Sequence, residues 1–214
     1  MKNFKRTMQL VAVFLFIGAI QLSAQTYKYQ KIVGFTDATN AKLEAFLQST
    51  ISMNIRKVAV FDCDGTLFGQ VPYYLAEEAL YEYARRNYAG KKDAKSVEKF
   101  KLVDKMIKED AISRERDRIK FLSGLTPEEV QRIGDDCFHE KYQNKFYPQM
   151  KALLTNLRNY GFETWVISAS PELLYQRFCV EELGFQEDRV IGVKSLVTMS
   201  GVVTDQIVFP SPQD

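Results

Sequence analysis

The sequence predicts an α/β fold, a parallel-sheet core with an all-helical insert after its first strand. Three observations carry this. Val58-Ala59-Val60-Phe61 is a short run rich in β-branched and aromatic residues, bounded like a buried strand, and it leads straight into Asp62 and Asp64. Glu163-Thr164-Trp165-Val166-Ile167 is a second such run, and it delivers Ser168. Between them, residues 68–147 show helical spacing and no convincing strand. Strands that end in acids or hydroxyls place those groups where open α/β sheets bind ligands.

The 214 residues suffice for one substantial domain or a core with a small insert, and 26% charged with 46% hydrophobic residues reads as globular. The start reads differently. Lys2, Lys5 and Arg6 form a basic region, Leu10 to Ile20 is uncharged and almost wholly apolar, and Leu22-Ser23-Ala24-Gln25 offers cleavage after Ala24. This is the pattern of a secretory signal peptide over residues 1–24. A retained anchor helix is the alternative, but the run is short for a membrane span. Cleavage would leave a periplasmic or secreted protein with no stable membrane anchor. It would also take Lys plus Arg from 29 to 26, against 27 Asp plus Glu, a net of −1. The formal +2 of the whole chain is therefore no argument for a nucleic-acid partner. There are three cysteines, an odd count. Cys63 should point into the core. Cys137 and Cys179 could bridge, but three buried free thiols are the plainer expectation.

Residues 25–38 lack periodicity and are expected as an extended arm. Asn40 is expected to cap a helix running to about Met53, with Leu43, Phe46, Leu47 and Ile51 inward. A strand over 57–62 follows. The insert should hold helices near 72–88, 94–109 and 114–123, and a fourth opening at Thr126, where Thr126 caps, Pro127 takes the first turn and Glu129 closes a capping box. Arg114, Arg116 and Arg118, mixed with Glu115 and Asp117, read as a solvated helix face, with an anion clamp as the alternative. His139 is expected at the surface. Pro148 opens a helix with Met150, Leu153, Leu154 and Leu157 inward, ended by Gly161. After the second β-rich run, Pro171 and Glu172 should open a helix that stops at Gly184. Strands near 189–193, 195–199 and 202–208 follow, the last two as a hairpin around Ser200-Gly201.

The chemistry gathers at Asp62-Cys63-Asp64-Gly65-Thr66. Two carboxylates this close repel each other unless a cation or differing protonation reconciles them. Gly65 lets the backbone turn, and amides there can face an anion. Taken alone, Asp-Gly is also an ordinary turn. Coming directly after an apolar strand, the five residues resemble the first motif of the haloacid dehalogenase-like (HAD) superfamily. Ser168-Ala169-Ser170-Pro171, at the end of the second strand, resembles its second motif. Over residues 25–214 the order of elements is similar to the phosphoserine phosphatase-like branch. With the signal peptide and Tyr73, Tyr74, Tyr81 and Tyr83 it is similar to exported phosphorylcholine phosphatases.

The resemblance implies a Rossmann-like core from residues 25–67 and 148–214, with a helical cap over 68–147. It implies a phosphoric monoester hydrolase acting on a small phosphorylated substrate. Asp62 would be the nucleophile that becomes an aspartyl-phosphate, and Asp64 the acid and then the base. Gly65, Thr66, Ser168 and Ala169 would surround the phosphate. Mg²⁺ would sit on Asp62 and on the backbone carbonyl of Asp64. Asp64 argues against dehalogenation. The tyrosines could hold a quaternary ammonium by cation–π attraction, or simply pack the cap on the core.

Two family features are not found in this sequence: the lysine that bridges nucleophile and phosphate, and a late strand ending in Gly-Asp. Lys194 and Asp205 are the remaining candidates, and a surface role is expected for each. The C-terminal part of the core is therefore expected to be missing and the chain to be a fragment of a longer protein, with the strand of Asp62 left as an open edge. The alternative to an enzyme is a catalytically impaired remnant that binds phosphate or a protein. The oligomeric state is left open.

Overall fold

The computed structural model describes residues 27–70 and 72–210. The expected signal peptide, residues 1–24, lies outside the described residues. Strands β1 (Lys57–Phe61), β2 (Phe162–Pro171), β3 (Val190–Val197) and β4 (Val203–Phe209) form one sheet in the order β1-β2-β3-β4. β1 pairs with β2 and β2 with β3 in parallel, and β4 closes an antiparallel hairpin with β3. Val58 stands opposite Glu163 and Phe61 opposite Val166, so the two motif-bearing strands are neighbours that finish at one end of the sheet. The strands expected at 189–193 and 195–199 are one strand, β3, with its register shifted at Lys194 and Ser195 rather than broken. Among the described residues no strand lies beyond β1, and Val58 and Val60 are 42% and 55% exposed.

Helix α1 (Asp37–Ser49) is capped by Thr36, whose hydroxyl accepts from the Thr39 amide. Asn40, the expected cap, lies inside the helix and is buried. Its side chain accepts from the Ile32 amide and the Tyr29 hydroxyl and donates to the carbonyls of Ile32, Phe35 and Thr36, so it pins the preceding arm to the helix. Phe46, expected inward, is half exposed, while Leu47 is buried.

The insert holds α2 (Leu75–Asn87), α3 (Ala94–Met106), α4 (Ala111–Leu122) and α5 (Pro127–Cys137). The Thr126–Glu129 capping box forms as the sequence predicts. A π-type turn (Phe138–Tyr142) and a 3-10 turn (Gln143–Lys145) lead back to the core. Entry and exit are paired. Phe68 bridges Phe146, the Gly69 amide donates to the Lys145 carbonyl at 3.0 Å, and the Tyr147 amide donates to the Leu67 carbonyl at 3.1 Å. Phe68 is fully buried and touches the rings of Phe138, Tyr142, Phe146 and Phe178, which joins the post-motif loop, the end of the insert and the core helix beyond β2.

The basic face of α4 differs from expectation. Arg116 is exposed, but Asp117 and Arg118 are buried: Asp117 takes the Lys105 ammonium of α3, and Arg118 reaches Glu77 of α2 and Ser170 of β2. The β3–β4 hairpin also lies against α4. The Gly124 amide donates to the Val203 carbonyl and the Val203 amide to the Leu125 carbonyl, both at 2.8 Å, fixing that approach.

Helix α6 (Pro148–Asn159) precedes β2, and α7 (Leu173–Leu183) follows it and ends at Gly184. The expected helix start at Pro171 is displaced to Leu173. The strand instead runs through both serines to Pro171, and the Glu172 amide still donates to the Val193 carbonyl, which extends the ladder with β3. The three cysteines are free and buried. No Cys137–Cys179 bridge forms; the thiol that approaches Cys179 is Cys63, with the sulfurs 4.0 Å apart. Among the described residues no helix is long and apolar enough to cross a membrane.

Candidate active site

The loop after β1 sets two acids in opposite surroundings. Asp62 is exposed, and its Oδ2 accepts from the Thr66 hydroxyl at 3.3 Å. Asp64 is 8% exposed. Its Oδ1 accepts from the Leu75 amide at 2.9 Å and its Oδ2 from the Tyr175 hydroxyl at 2.6 Å. Burial raises the pKa of Asp64, and the negative charge of Asp62 adds to the rise, while the bonds from Leu75 and Tyr175 pull the other way. One carboxylate is thus open to a substrate, and the other is held and biased toward its proton.

Gly65 turns at φ +79°, a conformation that glycine adopts without penalty. The amides expected to face an anion are used inside the loop instead. The Gly65 amide donates to the Phe68 carbonyl at 2.7 Å and the Thr66 amide to the Cys63 carbonyl at 3.3 Å. Gly65 and Thr66 do line a cleft of about 500 Å³ with Asp64, Gly69, Gln70, Lys145 and Tyr147. The lysine that shares a cleft with the first motif is therefore Lys145, from the segment that returns from the insert. It was not singled out in the sequence, because only the Phe68–Phe146 pairing brings it there.

Ser168 stands near the end of β2 and is buried, and its hydroxyl accepts from the Ser170 amide at 3.2 Å. Ala169 lies where the β2–β3 register shifts. The expected helix N-terminus at these residues is absent, since α7 begins only at Leu173. A cation reaches this strand from α4. Arg118 places Nη1 3.5 Å from the Ser170 hydroxyl and Nη2 3.0 Å from Glu77, and its buried Nε makes no hydrogen bond among the described residues. Arg114 holds the same oxygen of Glu77. A second cleft, about 440 Å³, opens between α2, α3 and α4, with Tyr73, Tyr81, Phe100, Glu77 and Arg114 among its walls. Tyr83 instead packs against Tyr88 and Phe121, and Tyr74 is exposed.

Lys194 is on the surface as expected, 61% exposed with Nζ 3.5 Å from Glu172, and Asp205 is exposed on β4. Neither lines the cleft at Asp64. Asp62 and Asp64 offer hard oxygen donors of the kind Mg²⁺ takes. Among the described residues no group of three or more acidic, histidine or cysteine side chains is placed to hold a metal. The donor chemistry fits a hard cation whose remaining ligands come from water and a phosphate, which is how Mg²⁺ is commonly held.

A search of curated proteins found no match. Among solved structures, a protein of unknown function from Bordetella pertussis Tohama I is similar at 17% identity and a TM-score of 0.54, covering 72% of this chain and 67% of that one. A functionally unknown protein from Anaerococcus prevotii DSM 20548 is similar at 12% identity and a TM-score of 0.57, covering 81% and 72%. A phosphoserine phosphatase held as an analogue of its phospho-aspartyl intermediate gives 18% identity and a TM-score of 0.40, covering 71% and 62%. The model of the haloacid dehalogenase-like hydrolases matches residues 59–212, which take in both motif strands and the whole helical insert. With that match over most of its length, the chain belongs to the haloacid dehalogenase-like hydrolase family.

Proposed function

We propose that this chain is an exported, Mg²⁺-dependent phosphomonoesterase that works through a phosphorylated aspartate. The observation that carries the reading is the contrast between the two acids. Asp62 is exposed at a strand end, while Asp64, two residues further on, is buried, doubly hydrogen-bonded and raised in pKa. A free carboxylate suits a nucleophile, and a carboxyl that retains its proton suits a general acid. In the first step an Asp62 oxygen bonds to phosphorus as the bond to the leaving oxygen breaks, and the Asp64 proton passes to that oxygen. In the second, Asp64 takes a proton from water as the water oxygen bonds to phosphorus, and Asp62 and inorganic phosphate are released. Asp62 and the backbone carbonyl of Asp64 would hold the Mg²⁺, which when bound offsets the charge of nucleophile and phosphate.

Lys145 would add a positive charge beside the phosphate, whereas Lys194 does not line that cleft. The organic part of the substrate would enter the cleft at Tyr73 and Tyr81. Its aromatic walls suit a compact organic cation such as a quaternary ammonium, while its Glu77 and Glu78 carboxylates are already paired with arginine and lysine side chains. Export rests on the basic and apolar leader ahead of Ala24.

A second reading is a module that binds phosphate without turnover, favoured by the lack of a third acid placed for a metal among the described residues. One experiment separates the two. Phosphate release with Mg²⁺ is measured from phosphocholine, phosphoserine and nucleoside monophosphates, with Asp62→Asn as control. Turnover that vanishes in the control supports the enzyme. Turnover that survives it sinks the aspartyl mechanism, and phosphate binding with no turnover leaves the module.

A further inference from the structure

The first turn of α2 is unusual in what satisfies it. The first amides of any helix lack partners within it, and a polar side chain at the cap commonly serves them. Here the cap position is Tyr74, which makes no side-chain cap bond. The Leu75 amide instead donates to Asp64 Oδ1 at 2.9 Å, and the Ala76 amide donates to the Tyr175 hydroxyl at 3.3 Å. That hydroxyl in turn donates a hydrogen bond to Asp64 Oδ2 at 2.6 Å. A side chain of the core loop and one of α7 thus cap the first helix of the insert between them. Tyr175 is fully buried, packed against Phe178, and its oxygen joins Ala76 to Asp64, with the Ser170 side chain as a further hydrogen-bond partner.

We infer that Tyr175 is a positioning residue for the proposed acid, fixing the Asp64 carboxyl against both the insert and α7 so that its proton is aimed at the leaving oxygen. The inference rests on the phosphatase reading above. A buried tyrosine needs a partner for its hydroxyl, and a backbone carbonyl would meet that need. Spending it on a carboxylate oxygen, with the other oxygen already held by Leu75, removes the rotational freedom of that carboxyl. The loss of one bond would leave Asp64 tied at a single oxygen and the Ala76 amide without an acceptor.

The inference separates from a merely structural role through the leaving group. An alkoxide needs a proton as the P–O bond breaks, whereas dinitrophenolate leaves unaided. In the Mg²⁺-loaded full chain, Tyr175→Phe should lower kcat/KM for an alkyl phosphate by about tenfold or more, within what general acid catalysis supplies. For 2,4-dinitrophenyl phosphate it should change kcat/KM by less than about threefold, because kcat/KM reports the steps up to leaving-group release and no proton is required there. The ratio of the two rates is the readout, so a fraction of unfolded variant cancels from it. In the Asp64→Asn background the same substitution should cost nothing further on the alkyl ester, because both changes act on one step. Equal losses on both esters, or additive losses in the double variant, overturn the inference while leaving the phosphatase reading intact. A wild-type chain that releases no phosphate from either ester overturns both.

Discussion

Gly134 lies on α5 where that helix crosses α7, and a methyl group built on its Cα would stand 1.8 Å from the carbonyl oxygen of Leu174. The next nearest atoms are the Leu174 carbonyl carbon at 2.6 Å and Cα at 2.8 Å, so the obstacle is backbone that no rotamer change can clear. Gly134→Ala sets two effects against each other. Replacing glycine inside a helix gains about 1 kcal/mol in propensity. Overpacking a tight core costs up to about 3 kcal/mol, and a contact this close to backbone belongs at that upper end. The net is a loss of about 2 kcal/mol, which for a chain of this size lowers Tm by roughly 4–8 °C. Urea denaturation followed by circular dichroism measures it. Because α7 carries Tyr175 one residue beyond Leu174, the displaced helix should also slow phosphate release. An alanine variant as stable as wild type or more so would show that α5 and α7 are not in contact there, and with it the placement of Tyr175 would fall.

Two further outcomes are expected. Lys145→Ala should raise KM for a small phosphomonoester about tenfold, equivalent to about 1.4 kcal/mol of binding, with kcat moved less; steady-state kinetics with an unchanged KM would remove Lys145 from the phosphate cleft. Glu172 is buried, and burial raises its pKa although Lys194 pulls it down. The unfolded chain then ionises first as pH rises, so this group's stabilising contribution is present below its ordinary pKa and is lost on passing upward through its folded value. Glu172→Gln should therefore gain stability over wild type at neutral pH and show no gain below about pH 4.3; urea midpoints that differ equally at both ends would refute the shift.

What the sequence could show was local. A β-branched run ending in Asp62, a Thr-Pro-Glu-Glu helix start at Thr126 and a glycine stop at Gly184 each depend on neighbours a few residues apart, and each appears in the fold. What it could not show depends on distant backbone. Asn40 has the right chemistry for a cap, but five bonds to the preceding arm and to residues 35 and 36 draw it into the helix. Pro171 reads as a helix start until β3 supplies the Val193 carbonyl that holds the next amide in the sheet. Arg118 reads as solvated until Glu77 of α2 and Ser170 of β2 are brought to it. Tyr175 reaches Asp64 across 111 positions, a separation that no spacing rule spans.

The flank of β1 that no described residue pairs ties two properties of this chain to the same five residues, Lys57–Phe61. Backbone donors and acceptors along an outermost strand are a template for any extended peptide, and the valines facing solvent there add an adhesive surface. The charges beside them act as gatekeepers. Arg56 is paired with Glu163, and the Lys57 ammonium is turned back to the Thr50 carbonyl, so only part of that protection points outward. Among the described residues, the strand that presents the candidate nucleophile is consequently also an edge open to clumping, so colloidal behaviour and chemistry meet in one short stretch of chain.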